Sequence, residues 1–179
     1  MEDTFNQEKF AELIIYFSYH SKEDPKFGAV KLNKLLYYAD FNAYRLLGHS
    51  ITGADYQKLN EGPAPRQMLP VRRMMIDSQD IAIEFRPYFN SVQQRIIPSR
   101  KPRKVFLDEE LAIINETMAA LWDMSGRQVS DLSHSEIGWQ VTEVGETIPY
   151  ETTWLSSDPI PQEAEDHWRK GKVTAASGG

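Results

Sequence analysis

The sequence predicts an α+β fold, predominantly helical: a single domain with a central buried helix, a small antiparallel β-sheet and an extended C-terminal tail. Three observations lead there. The stretch KLNKLLYYADFNAYRLLG, residues 31–48, has helical spacing yet carries apolar or aromatic side chains around most of its circumference; such a helix must be covered on more than one side. IAIEFRPYF and SVQQRIIPS read as two strands joined by a turn near Asn90-Ser91. The last stretch, from IPYETTWLSSDPIP to VTAASGG, holds three prolines among small or polar residues, a composition that cannot bury enough apolar surface to fold alone. The domain is placed at 1–145 and the tail, extended or partly disordered, at 146–179.

Taken in order, Thr4 and Gln7 have capping-box spacing and start the first helix. Phe10, Leu13, Ile14 and Phe17 then repeat at i, i+3, i+4, i+7 and give it one buried face. Pro25 and Gly28 end it, because proline cannot continue a helix and glycine frees the backbone. In the next helix Leu32, Leu35, Leu36, Ala39, Ala43, Leu46 and Leu47 form a wide apolar face, and Tyr37, Phe41 and Tyr44 form a second stripe. Lys31, Lys34, Tyr38, Asn42 and Arg45 share the remaining strip, which reads as the wet one. Gly48 is the C-cap. ADYQKLNEGPAP has turn residues and no helical period, with a corner at Gly62-Pro63 and Pro65. RQMLPVRRMMID reads as a short helix interrupted by Pro70. Beyond the two strands, SRKPRK is a charged loop. Asp108 caps a long helix carrying Leu107, Leu111, Ile114, Met118 and Leu121, and Gly126 ends it. Ser130 caps the following segment, DLSHSEIGW.

Length and composition exclude several classes. A chain of 179 residues suits one domain with a core large enough to need no staple. There is no cysteine, which rules out disulfides, thiolate metal sites and cysteine nucleophiles. No apolar run reaches the ~18 residues of a membrane span, and the start, MEDTFNQEKF, is acidic where a signal peptide is basic. These point to a soluble, cytoplasmic protein that engages no membrane. The net charge is −6 and unevenly placed. Residues 86–104 carry Arg86, Arg95, Arg100, Lys101, Arg103 and Lys104 without an acid; residues 143–166 carry seven acids without a base. This polarity either steers a charged partner or belongs to a solvated loop and an acidic tail.

No catalytic or cofactor motif emerges. The four histidines, His20, His49, His134 and His167, lack metal-ligand spacing, and no Walker loop, dinucleotide fingerprint or nucleophile elbow occurs. No cofactor and no metal are expected. Ser133-His134 beside Glu136 could be pressed into a triad, but triads are recognised by geometry, and His134 reads as a structural hydrogen-bonding residue near a helix start. Tyr38, Asp40, Tyr56, Lys58 and Asn60 form a candidate polar cluster near Gly62-Pro63. The basic residues could contact phosphates, yet no nucleic-acid-binding signature accompanies them, so nucleic-acid binding ranks low without a partner.

The order of KLNKLLYYADFNAYRLLG, ITGADYQKLNEGPAP and LSHSEIGW resembles the Panacea domain of the SocA-like antitoxin family. The resemblance spans about residues 10–140. It rests on Lys31, Leu32, Lys34, Leu35, Tyr37 and Tyr38 in the helix, on Gly62-Pro63, and on His134 and Trp139. Many members carry an aromatic just before the Gly-Pro, where this chain has Asn60-Glu61. The resemblance implies a mostly helical, non-enzymatic domain that neutralises a cognate toxin protein by direct contact, or delivers a client to a Clp-type protease as an adaptor. Some members carry a further N-terminal DNA-binding domain; this chain opens at the Panacea-like helix and is not expected to repress its own promoter unaided. A hydrolase using His134 or the tyrosines ranks third. The expected partner-binding residues are Arg66, Arg72, Arg73, Arg100, Lys101, Arg103, Tyr150 and Trp154, because tight interfaces rely on aromatic and arginine anchors. Trp154 either packs back on its own domain or meets a partner. Toxin identity, stoichiometry and oligomeric state are not legible in the sequence.

Overall fold

The structure, a computed structural model, describes residues 4–155. Its organising element is α2 (Ala29–Leu47). Leucines and alanines at helical spacing favour the helix, and Gly48, in the left-handed region at φ 82°, ends it by donating its N–H to Tyr44 O. Leu32, Leu35, Leu36, Ala39 and Ala43 are buried, and so are Tyr37 and Phe41 on the second stripe. Each fully buried leucine contributes about 1.5–3 kcal/mol relative to exposure.

The neighbours that supply this cover are α1 (Gln7–His20), α4 (Asp108–Leu121) and α5 (Gly126–His134). Strand β2 (Gly62–Pro65) and a 3₁₀ turn (Tyr150–Leu155) also touch α2. Strand β1 (Tyr56–Leu59) pairs antiparallel with β2. The short helix α3 (Met68–Asp77) leads into β3 (Ile81–Tyr88), which pairs antiparallel with β4 (Ser91–Pro98), Ile83 facing Ile96 and Pro87 facing Val92. Helix α6 (Ile137–Val141) follows α5. The predicted central buried helix and antiparallel pairing are present, and the pairing falls into two separate two-stranded sheets.

The strip of α2 expected to be wet is buried. Lys31 and Lys34 are each 2% exposed, so the polar strip of α2 is covered as well, and in its first half Val30 alone is exposed. Lys31 has a buried counter-ion, and Lys34 has a backbone carbonyl. Lys31 Nζ bridges Asp24 Oδ2 at 2.6 Å and donates to Trp122 O at 2.8 Å. Lys34 Nζ donates to Pro63 O at 2.9 Å. Helical periodicity sorts residues by angle; it does not show that a long cationic side chain has its partner waiting in another element.

Other boundaries also move. Asn6, not Thr4, caps α1, its side chain accepting from Lys9 N at 2.9 Å. The chain at 4–6 runs extended over the 50–54 loop, where Asn6 N–H donates to Thr52 O at 2.7 Å. ADYQKLNEGPAP forms the β1–β2 hairpin rather than a plain turn region, and the 145–148 segment pairs with its free edge through Lys58 N–H to Glu146 O and Ile148 N–H to Tyr56 O. Pro70 does not interrupt α3, because it sits in the first turn, where no intrahelical N–H bond is lost. Asp108 is the first residue of α4, whose preceding amide, Leu107 N–H, donates to Glu110 Oε2 at 2.9 Å. Gly126 opens α5 instead of ending α4, and Ser125 caps α5 in a capping box with Gln128, so Ser130 lies inside the helix. Of the segment expected as tail, residues 146–155 pack onto the domain: Ile148 is buried, and Tyr150 OH donates to Ala54 O at 2.6 Å. The remainder of that segment lies outside the described residues.

Lys31→Met should cost about 3–5 kcal/mol of stability, because the buried Asp24 carboxylate loses its ion-pair partner. Adding Asp24→Asn should recover at least half of that loss in the urea midpoint. A single variant within about 0.5 kcal/mol of wild type, the range of ordinary surface substitutions, would contradict a buried bridge.

Candidate functional site

The residues singled out in the sequence converge on a joint between α2, the β1–β2 hairpin, α5 and α6. Gly62 sits at the hairpin turn with φ 99°, a conformation that favours glycine. A Cβ there would fall inside contact distance of Ser133 Oγ and Lys34 Cε. Around it, Lys34 holds Pro63 O, Ser130 Oγ donates to Glu61 O, and Ser133 Oγ donates to Ser130 O at 2.6 Å. Tyr38 OH donates to Glu136 Oε1 at 3.3 Å. Trp139 closes the far side: its Nε1 donates to Leu59 O at 3.1 Å, Lys58 Nζ lies 4.1 Å from its ring centroid, and the His134 ring stacks on it at 4.2 Å. His134 ends α5 rather than starting a helix, and its Nε2 is buried without a hydrogen bond. Ser133 and His134 therefore do not form a nucleophile and base: the hydroxyl is spent on a backbone carbonyl, and the imidazole is held by stacking.

Further along α2, Asp40 is fully buried and accepts four hydrogen bonds, from Ile51 N, Thr52 N, Thr52 Oγ1 and Tyr56 OH, at 2.5–2.9 Å. Burial pushes its carboxyl up to about 6 despite these donors. Burial likewise brings Lys34 down to about 8, opposed by the Glu61 carboxylate. Burial raises Tyr37 and Tyr38 above the usual tyrosine range, with Glu136 adding to it. Of the polar cluster suggested by sequence, only Asp40 and Tyr56 bond each other directly; Tyr38 and Lys58 serve the Trp139 side.

The expected partner-binding residues divide. Arg66 is exposed but ties the hairpin to the 145–147 segment: it donates to Gly145 O, to Thr147 Oγ1 at 3.3 Å and to Gln57 Oε1 at 3.2 Å. Arg100 bridges the buried Glu12 at 2.5 Å and Asp80 at 2.7 Å. Burial raises the Glu12 carboxyl, but the Arg100 guanidinium and the Arg103 amide together bring it below the usual range. Tyr150 stacks on Phe41 and Tyr44. Arg72 reaches Gln94 at 3.2 Å. Arg73, Lys101 and Arg103 are exposed, although Arg103 lies 3.9 Å from Glu12. Trp154 packs on Tyr44 at 5.0 Å and is still 56% exposed.

An open cleft of about 810 Å³ lies beside the joint, between the N-terminal ends of α2 and α5 and the outer half of the β3–β4 ribbon. Among the described residues no group of three or more His, Asp or Glu side chains could hold a metal ion, and no helix is long and apolar enough to cross a membrane.

Residues 32–140 match the family described as antitoxin SocA-like, Panacea domain. The match covers more than half of the chain, from the first turn of α2 to the end of α6. The chain belongs to this family. No curated protein and no solved structure matches it. In this Panacea chain Lys34, Gly62, Pro63, His134 and Trp139, all singled out in the sequence, lie at the contacts among the hairpin, α5, α6 and the central helix, while Lys31 ties α2 to the 21–24 loop and the end of α4. Sequence reasoning missed Asp24 and Arg95 as structural partners, and Phe85, Phe89 and Val92 as exposed apolar side chains. The sequence reading placed Phe89 at the end of the first strand and the turn near Asn90-Ser91, whereas the structure puts Phe89 in the turn itself.

Two outcomes follow from this geometry. Gly62→Ala should unfold the domain or sharply lower its melting temperature, whereas Gly48→Ala, with open space around it, should cost only the left-handed strain of about 1–2 kcal/mol. Equal losses would contradict the close approach at Gly62. Between about pH 8 and 10 the unfolded chain keeps a proton on Lys34 that the folded protein sheds, so this residue's contribution to stability rises with pH in that window. Lys34→Met should remove that upward slope from a urea-midpoint profile; an unchanged slope would contradict it.

Proposed function

We propose that this protein is an antitoxin that neutralises a cognate toxin protein by binding it directly, in the cytoplasm, without catalysis and without a cofactor. The observation that carries this reading is the family match over residues 32–140. The joint adds support: its hydroxyls, its lysine and its indole are spent on internal bonds, the chemistry of a rigid frame rather than a reaction centre. Partner contacts then fall to outward side chains. Of the sequence candidates, Arg72, Arg73, Lys101, Arg103 and Trp154 remain available for that role, while Arg66, Arg100 and Tyr150 serve the fold.

Co-expression with the product of the neighbouring reading frame tests this. The chain should restore growth and co-purify with that protein. Neither rescue nor a complex would overturn the reading. Repeating the rescue in a host lacking Clp-type proteases separates the two modes: retained protection supports sequestration, and lost protection supports delivery to a protease. Within the same assay Arg100→Ala should lose about 2 kcal/mol of stability, since a buried carboxylate loses a cation that is itself only 25% exposed, and its protection should fall only as far as its folded fraction does. Arg73→Ala should leave stability within about 0.5 kcal/mol, so any loss of protection there reports a contact.

A further inference from the structure

We propose that the outer half of the β3–β4 ribbon is the element that docks the partner protein, which covers Phe85, Phe89 and Val92 with an uncharged, apolar surface. This rests on the antitoxin reading above and names the surface that serves it.

The register sorts the ribbon's two faces. Ile83 faces Ile96, Phe85 faces Gln94 and Pro87 faces Val92, so these pairs share one face. At the root that face is core, with Ile81 and Ile96 buried. Further out the same face leaves the domain: Phe85 is 65% and Val92 68% exposed, and Phe89 at the tip is 89% exposed. A hydrophobic face that continues past the core has no internal reason to stay hydrophobic.

Phe89 adds a second observation. Its φ is 51°, the left-handed region, where a bulky side chain is an outlier and glycine or asparagine is at ease. The residue therefore costs backbone strain and, beyond an edge contact with the Tyr88 ring at 4.9 Å, recovers little burial among the described residues. Strain held by the surrounding structure points toward function.

The ribbon is firmly mounted. Arg95, 3% exposed, donates to Asp24 O at 2.8 Å and Ser21 O at 3.1 Å, and Ser99 N–H donates to Asp80 O at 2.9 Å. Asp24 is also the partner of Lys31 on α2, so the ribbon's root is tied to the central helix through one loop. A preordered element loses less entropy on binding.

Charge and area indicate the partner's chemistry. Glu84 and Arg86 neutralise each other through two bonds of 2.8 and 2.9 Å, and residues 87–94 contain no acid or base apart from the Tyr88 phenol. In a chain of net charge −6 this is an uncharged patch, and a charged partner surface would be desolvated here without compensation. Phe85, Phe89 and Val92 together offer on the order of 400 Å², about half of the ~800 Å² per partner that a stable complex buries. The cleft that Phe89 and Val92 line, with Val30 and Arg127 across it, supplies adjoining surface for the rest.

The test uses the full chain and the neighbouring toxin. Phe85→Ser, Phe89→Asn and Val92→Thr combined should leave the melting temperature within a few degrees, and Phe89→Asn alone should hold or raise it, since asparagine tolerates the left-handed turn. The combined variant should lose protection and bind at least tenfold more weakly by titration calorimetry; Phe89→Asn alone should weaken binding in the same direction. Full protection by a folded combined variant, or, should that one not fold, undiminished binding by Phe89→Asn, overturns the proposal. A wild-type dimer that becomes monomeric in the variant while protection persists assigns the patch to a second copy of this chain and also overturns it. If the unsubstituted chain neither binds nor protects, the antitoxin reading itself fails and the ribbon assignment falls with it.

Discussion

Three buried ionisable groups on one helix organise this protein. Lys31, Lys34 and Asp40 all lie on α2, all are buried, and each bonds a different part of the chain. Lys31 takes the 21–24 loop and the end of α4, Lys34 takes the β1–β2 hairpin, and Asp40 takes the 50–56 loop. Apolar burial makes α2 the middle of the core, but it is non-directional. The polar tethers are directional, and an unmet one costs several kcal/mol. They fix which loop lies against which turn of the helix, so a misplaced hairpin is penalised by an orphaned ammonium rather than by a slightly poorer contact.

Much of this frame was legible in the sequence because period reports it directly. The α2 stripes, its Gly48 cap, the β3–β4 alternation and the apolar face of α1 all follow from spacing. What was not legible depends on contacts distant in sequence. Lys31 and Lys34 looked wet because nothing local shows that Asp24 and Pro63 O wait for them. The β1–β2 hairpin was obscured because its prolines and glycine read as a corner, and its pairing is completed by the 145–148 segment from the other end of the chain. The cap of α1 moved from Thr4 to Asn6 because the 50–54 loop claims the preceding backbone.

The candidate site shows the same division. The residues that carry the Panacea resemblance are mostly interior joinery: Gly62 allows close approach, Lys34 and Ser133 hold backbone carbonyls, and Trp139 is clasped by His134 and Lys58. A motif of this kind specifies a frame. In the antitoxin role we propose, partner choice would rest on side chains the frame leaves outside, which can change without disturbing the tethers. Basic residues drew attention in the sequence because charge is visible there, yet Arg66, Arg95 and Arg100 are occupied by carbonyls and carboxylates of their own chain. Exposed apolar groups on the ribbon were less visible, since the alternation of a strand does not say where the core stops.

Amide hydrogen exchange under native conditions tests the central claim most directly. If α2 is the frame to which everything else is tethered, its amides from about residue 33 to 44 should exchange only through global unfolding, as the slowest group in the molecule, and with a free energy equal to that from urea denaturation. Exchange of these amides through a smaller local opening, while those of α4 remained protected, would contradict it.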